Sequence, residues 1–171
     1  MIIRLKDIEE RSKHYEFRIA QADFINPEPR FSFDWMTCKA ELSIINESVL
    51  LFGNYSVKLE ANCDFCLVPV KLELSESFEL HLIPEEDRAE TQGDFEISLE
   101  SADVDFYGGQ EINLNQYFEE QYLLDLPFSI KCSEECLGLC SGCGVNRNLE
   151  ECKCEKDIRS NPFSVLKDLK T

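Results

Sequence analysis

The chain has 171 residues, enough for one domain or one domain with a small appendage, and 43% of them are hydrophobic, enough for a sizeable core. Thirty-four acids stand against 17 Lys and Arg, a formal charge of -17. Such a chain repels phosphate, which disfavours charge-driven binding of RNA or DNA and suits a basic protein partner. The opening MIIRLKDIEERSKHYEF lacks the apolar core of a signal peptide, and no apolar run reaches the roughly 18 residues of a membrane span, so the expectation is a cytoplasmic protein with no membrane segment.

In chain order, Ile2, Ile3, Leu5 and Ile8 fit a small strand or a helical turn. His14 to Ala20 reads as a strand with Tyr15, Phe17 and Ile19 on one face. Asn26-Pro27-Glu28-Pro29 is a turn or extended connection. Phe31 to Asn46 carries a long strand pattern, with Ala40, Leu42 and Ile44 on one face; Trp35 reads as core or edge anchor and Cys38 as a small buried hydrophobe. After a turn at Asn46-Glu47-Ser48 and a bulge or break at Gly53, Tyr55, Val57, Leu59 and Ala61 alternate with Asn54, Ser56, Lys58 and Glu60. Val68, Val70, Leu72 and Leu74 alternate again, followed by Phe78, Leu80 and Leu82, so Cys63 and Cys66 sit at a hairpin tip. The two histidines, His14 and His81, read as packed or surface residues.

Residues 85–105 hold nine acids and one base, Arg88, and read as a solvated loop plus an edge strand around Phe95, Ile97 and Leu99, or as a landing surface for a cationic partner. Gly108-Gly109 is a break. From Ile112 to Leu126 the period changes: Leu114, Phe118 and Tyr122, with Tyr117 and Leu124 beside them, make a helix face, while Glu119 and Glu120 fall toward the opposite side. Asn113 or Asn115 is placed to cap this helix and Pro127 to stop it. Behind Asn161-Pro162, residues Phe163, Val165, Leu166 and Leu169 fit a short terminal amphipathic helix, either packed or free to bind a partner.

The cysteines carry the chemistry. Six of the nine fall between Cys132 and Cys154 as the pairs Cys132/Cys136, Cys140/Cys143 and Cys152/Cys154, and Cys63/Cys66 stands far upstream. Four pairs supply the ligands of two four-cysteine zinc sites, because a C-x2-C turn points both sulfurs at one spot and two such pairs complete a tetrahedron. Gly144 after Cys143 fits the turn that lets backbone N–H groups approach sulfur. Loop length favours a local site of Cys140, Cys143, Cys152 and Cys154, which leaves Cys63, Cys66, Cys132 and Cys136 for the other; Cys63/Cys66 with either remaining pair stays open. An odd cysteine count argues against disulfides, and knuckle spacing favours zinc over an iron–sulfur cluster. Two such centres would take the charge to about -21.

The stretches ANCDFCLVP, the helix end LPF, CSEECLGLCSGCGVNRN, CKC and the closing NPFSVLKDLK together resemble the YceD family, the large ribosomal RNA subunit accumulation proteins of bacteria and plastids. The resemblance runs from about Val57 onward, with CLGLCSGCG-x-N-x-N as its specific part. It implies a part in accumulation of large-subunit ribosomal RNA and in ribosome assembly, a non-enzymatic protein, and a metal that staples the fold; it assigns no base-recognition residue.

These readings combine into an α+β fold: an antiparallel sheet with a few helices and a cysteine-rich, zinc-binding C-terminal segment. The expected division is residues 1–130, a sheet domain carrying the Cys63/Cys66 hairpin, and 131–171, a zinc-binding tail and terminal helix packed on it. Eight thiolates leave no open coordination position, so two Zn2+ ions would be structural and the protein no enzyme. The expected partner is a basic ribosomal protein or a large-subunit precursor particle, with direct RNA contact left open. The alternatives are a thiol-based redox or metal sensor and a zinc-stapled interaction module with another partner.

Overall fold

The computed structural model describes residues 1–8, 12–45, 48–86 and 103–154. The elements in order are β1 (Ile2–Arg4), a 3-10 turn (Leu5–Asp7), β2 (Lys13–Ala20), a 3-10 turn (Gln21–Asp23), β3 (Phe31–Ser32), β4 (Trp35–Ile45), β5 (Ser48–Asn62), β6 (Pro69–Pro84), β7 (Asp103–Tyr107), β8 (Glu111–Asn113) and α1 (Leu114–Asp125). The acidic stretch 87–102, with the edge strand expected near Phe95, and the terminal helix expected after Asn161 lie outside the described residues.

Contacts group the chain into two compact units, Met1–Ala61 with Lys71–Phe128, and Asn62–Val70 with Ser129–Thr171. The expected division left the Cys63/Cys66 tip with the sheet; the contacts group it with the tail.

The first unit is built on alternation. Strands β2, β4, β5, β6 and β7 lie side by side in that order, and β3 pairs with β5 beyond the end of β4. In the β4–β5 ladder Met36, Cys38 and Leu42 face Val57, Tyr55 and Leu51, and all six are buried. A ladder offset by one residue would turn this whole set to water, so the burial fixes the register. β7 runs parallel to β6, with Leu80 opposite Asp103 and Pro84 opposite Tyr107. The sheet is therefore mixed rather than antiparallel throughout; the stretch 85–102 is long enough for the dozen or more residues that a parallel connection needs. A separate two-stranded ladder joins β1 to β8.

Two local expectations change, and for Trp35 the core alternative drops out. The strand expected from Phe31 onward is interrupted at Phe33-Asp34, where the Gln21 side chain stands in for a strand partner: its Nε2 donates to the Phe31 carbonyl and its Oε1 accepts from the Phe33 N–H, both at 2.9 Å. Gly53 is neither bulge nor break; it stays in the ladder opposite Ala40, and a Cβ there would come within 2.1 Å of the Phe78 ring. The missing side chain lets that ring lie across the strand, where it meets Phe118 edge-on at 4.9 Å. Trp35 is 54% exposed, with the Arg18 guanidinium 5.4 Å from its ring centre.

Helix α1 lays Leu114, Tyr117, Phe118 and Tyr122 into the core. Phe118 also meets Phe17 at 5.3 Å, and Tyr122 meets Phe24 and Phe33 at 5.4 and 5.5 Å. Ile112 and Asn113 belong to β8, so the helix starts later than its sequence pattern indicates. Neither asparagine caps it: Asn113 makes no side-chain cap bond, and Asn115 Oδ1 accepts from the Met1 amino group. Leu124 is exposed, whereas Glu119 is buried at 5% exposure. The Glu119 carboxylate accepts the N–H groups of Ile25 and Asn26 at 2.9 and 2.6 Å, and so pins the 25–26 loop to the helix. The Tyr55 hydroxyl donates to Asp125 Oδ2 at the far end.

Removing the Glu119 carboxylate strands two backbone donors. Glu119→Ala is expected to lower unfolding stability in urea by about 1–3 kcal/mol, and Glu119→Gln, which keeps an acceptor, by less.

Candidate metal centres

The second unit begins at the tip between β5 and β6. There the Cys63 N–H donates to the Val68 carbonyl and the Leu67 N–H to the Cys63 carbonyl, both at 2.9 Å, which folds Cys63-Asp64-Phe65-Cys66 into a tight knuckle. The tail repeats this turn. Cys140 N–H donates to the Val145 carbonyl and Gly144 N–H to the Cys140 carbonyl, both at 2.8 Å. The residue after the second cysteine has a positive φ in both knuckles, 61° at Leu67 and 74° at Gly144. Glycine adopts this conformation freely, whereas an L side chain there is strained. Leu67 is nonetheless 60% exposed, so the strain secures no burial.

Backbone bonds tie the tip to the start of the tail. Asp64 N–H donates to the Ile130 carbonyl at 2.9 Å, and Asp64 Oδ2 accepts from the Ile130 N–H at 2.7 Å. Ile130 is buried, and the Lys131 ammonium lies 5.0 Å from the Phe65 ring centre. The next residue is Cys132, whose N–H points at Cys63 Sγ at 3.4 Å.

The eight paired cysteines form two groups, Cys63, Cys66, Cys132 and Cys136, and Cys140, Cys143, Cys152 and Cys154, with the sulfurs of each within 4.8 Å of one another. This is the grouping that loop length favours. In the first group Cys63 and Cys136 are 3.9 Å apart and Cys66 and Cys132 3.5 Å; in the second, Cys140 and Cys143 lie 3.2 and 3.7 Å from Cys152. A tetrahedron with metal–sulfur bonds of about 2.3 Å has edges of roughly 3.8 Å, whereas a disulfide needs about 2.05 Å. All nine cysteines are free thiols.

The surroundings favour thiolate. Besides the donor on Cys63, Gly142 N–H donates to Cys140 Sγ at 3.4 Å, Cys154 N–H to Cys152 Sγ at 3.3 Å and Asn148 Nδ2 to Cys136 Sγ at 3.4 Å. Burial opposes ionisation of Cys63, but the N–H groups of Phe65, Cys66 and Cys132 outweigh it and bring the thiol down to about 6. The N–H of Cys143, aided by Cys152 and the N–H of Gly142, does the same for Cys140, again to about 6. Cys66 goes the other way: the Val68 N–H favours its thiolate, but desolvation and the neighbouring thiols push it up to about 12. The thiols of Cys143 and Cys152 push Cys154 up to about 12. Each group thus mixes readily ionised sulfurs with others whose charge their neighbours oppose, an opposition that a cation at the centre would reverse. The donor set, spacing and N–H bonds fit a metal ion in each group.

The remaining candidates stand apart. Burial pushes the Cys38 thiol up to about 12. His14 and His81 lie 3.6 Å from Glu41 and Glu79 and belong to neither thiol group. On the solvent face of the sheet, Lys58 and Lys71 share a shallow depression with Asp34, Glu60 and Glu73, and Lys71 pairs with Glu60 at 3.1 Å. Sequence reasoning assigned no role to Asp64, Leu67 or Asn148; the N-x-N spacing after the second knuckle was the available signal for Asn148.

These features define a mainly β protein with one α-helix among the described residues and two four-cysteine clusters that can each hold a metal ion. The chain matches the family described as "Large ribosomal RNA subunit accumulation protein YceD" over residues 51–170, and it belongs to that family. It is also 32% identical over 102 residues to uncharacterized proteins of Mycobacterium bovis and of two strains of Mycobacterium tuberculosis. That alignment covers 59% of this chain and 46% of each relative, so the chain spans about half the length of the curated relatives it matches. No solved structure matches.

The two clusters differ in shielding: Cys63 and Cys66 are buried, whereas Cys143 and Cys154 are exposed. Alkylation of the metal-free protein is expected to reach Cys143 and Cys154 before Cys63 and Cys66, as peptide mapping of the modified chain would show. The knuckle turns give a separate check: Gly144→Ala is expected to lower stability by about 1 kcal/mol, and Leu67→Gly to raise the unfolding midpoint.

Proposed function

We propose that this chain is a zinc-stapled, non-catalytic ribosome-assembly factor of the cytoplasm, which supports accumulation of large-subunit ribosomal RNA. The observation that carries the reading is the family match across residues 51–170, which takes in both knuckles and the helix between them. Zinc is the metal the ligand sets suit best, since four cysteines in C-x2-C knuckles with N–H donors to sulfur form closed tetrahedral sites. A closed site activates no water, so the metal serves to hold the tip and the tail together.

Charge supplies the mode of action. A chain of -17 seeks cations, and the early large subunit offers them as basic ribosomal proteins. The chain engages such a protein, or a precursor particle that carries it, rather than naked RNA. Among the described residues no helix is long and apolar enough to cross a membrane.

The exposed Cys143 and Cys154 support a second reading, a thiol-based sensor whose outer cluster releases zinc on oxidation. The two readings separate in one experiment. Deletion of the gene is expected to lower large-subunit ribosomal RNA relative to small-subunit RNA, and the tagged protein is expected to co-sediment with large-subunit precursors in a salt-sensitive way. Unchanged large-subunit RNA after deletion would count against the assembly role, and a loss of activity that tracks mild oxidant would favour the sensor.

A further inference from the structure

Asn148 belongs by position to the second cluster, in the loop between Cys143 and Cys152, yet its side chain serves the first. Its Nδ2 donates to Cys136 Sγ at 3.4 Å, and its Oδ1 accepts from the Leu137 N–H at 2.8 Å. The carboxamide therefore grips the ligand and the residue after it. Asn146 fixes its orientation: Asn146 Oδ1 accepts from both the Asn148 N–H at 3.0 Å and the Asn148 Nδ2 at 2.9 Å. Only an amide NH2 can donate to that oxygen and to the sulfur at once, so the assignment of O and N is not arbitrary.

The loop that carries Asn148 is shaped by the second knuckle. Asn146 bridges to Leu139, and the Arg147 N–H donates to the Gly138 carbonyl at 3.0 Å. A second tie runs the other way: the Leu139 N–H donates to the Phe65 carbonyl, in the first knuckle, at 2.8 Å. Gly138, with φ 69°, makes room for this; a Cβ there would stand 3.0 Å from the Phe65 oxygen. The two clusters are thus joined by two hydrogen-bonded links within one unit, and Asn148 is the link that reaches a sulfur.

We propose that Asn148 is a positioning residue for the Cys63, Cys66, Cys132 and Cys136 cluster, delivered by the loop of the other cluster, so that metal retention at the first depends on closure of the second. The proposal rests on the metal-holding reading above. A donor to a ligating sulfur spreads the thiolate charge and holds its lone pair toward the ion, and loss of such a partner typically weakens a site about 10- to 100-fold.

The test uses the full chain loaded with 113Cd, each resonance being assigned through its coupling to cysteine β protons. In Asn148→Ala the first cluster's resonance is expected to move, and chelator is expected to strip that cluster about tenfold faster. Asn148→Asp keeps an acceptor for the Leu137 N–H but sets a carboxylate oxygen against the sulfur, and release should be faster still. Disabling the second cluster with Cys152→Ser and Cys154→Ser should also speed release from the first, and adding Asn148→Ala to that background should add nothing. An unmoved first-cluster resonance and release rate in Asn148→Ala would overturn the proposal, as would wild-type behaviour of Asn148→Asp or additive effects in the combined variant. Failure of the wild-type chain to bind cadmium would instead remove the metal reading beneath it.

Discussion

Like charges at close range are the constraint that governs the second unit. Two thiolates about 4 Å apart repel by roughly 4 kcal/mol at the effective dielectric of a protein surface, and each cluster gathers four sulfurs at such distances. Backbone N–H groups aimed at the sulfurs take up part of this charge, and a divalent cation at the centre would turn the remainder into attraction. The tip between β5 and β6 and the described part of the tail, residues 129–154, carry few buried apolar side chains of their own. The backbone exchange between Asp64 and Ile130 joins them, and the charge balance at the sulfurs adds to it.

The first unit obeys a different rule. Its cohesion is apolar area, with one face of the sheet covered, among the described residues, by helix α1 and an aromatic chain that runs through Phe17, Phe118 and Phe78. Among the described residues, Glu119 is the buried acid and pairs with the 25–26 backbone, and the Tyr55 hydroxyl pairs with Asp125. One chain therefore combines a part stabilised by burial with a part whose gathered thiols form two sets that can each hold a metal ion.

Much of this was legible in the residues alone because much of it is local. Period-two alternation marked Tyr55 to Ala61, and the stripe Leu114, Phe118, Tyr122 marked the helix. The short loop from Cys143 to Cys152 favoured the correct grouping of thiols. What the sequence hid depends on partners distant in the chain. Gly53 looked like a break, yet it is a slot for a ring 25 residues onward, and no local pattern encodes that. Glu119 looked like a solvated acid because its donors, Ile25 and Asn26, lie more than 90 residues away. The parallel course of β7 depends on which edge of the sheet remains free, and the task of Asn148 on a loop closing across two knuckles. Leu67 stands where its counterpart is glycine, so composition concealed that both knuckles make the same turn.

The spacing of the ligands also has a consequence in time. Cys66 and Cys132 lie 66 positions apart, whereas the second cluster closes within the span from Cys140 to Cys154. At the usual pace of synthesis, about 5–20 residues per second, the leading dithiol leaves the ribosome some 3–13 s before its mates. Through that interval two buried-to-be sulfurs face the cell without a closed coordination sphere, exposed to oxidants and stray metals, while the trailing set is complete almost as soon as it emerges. The nascent chain is therefore most vulnerable at the place where the finished protein is best protected.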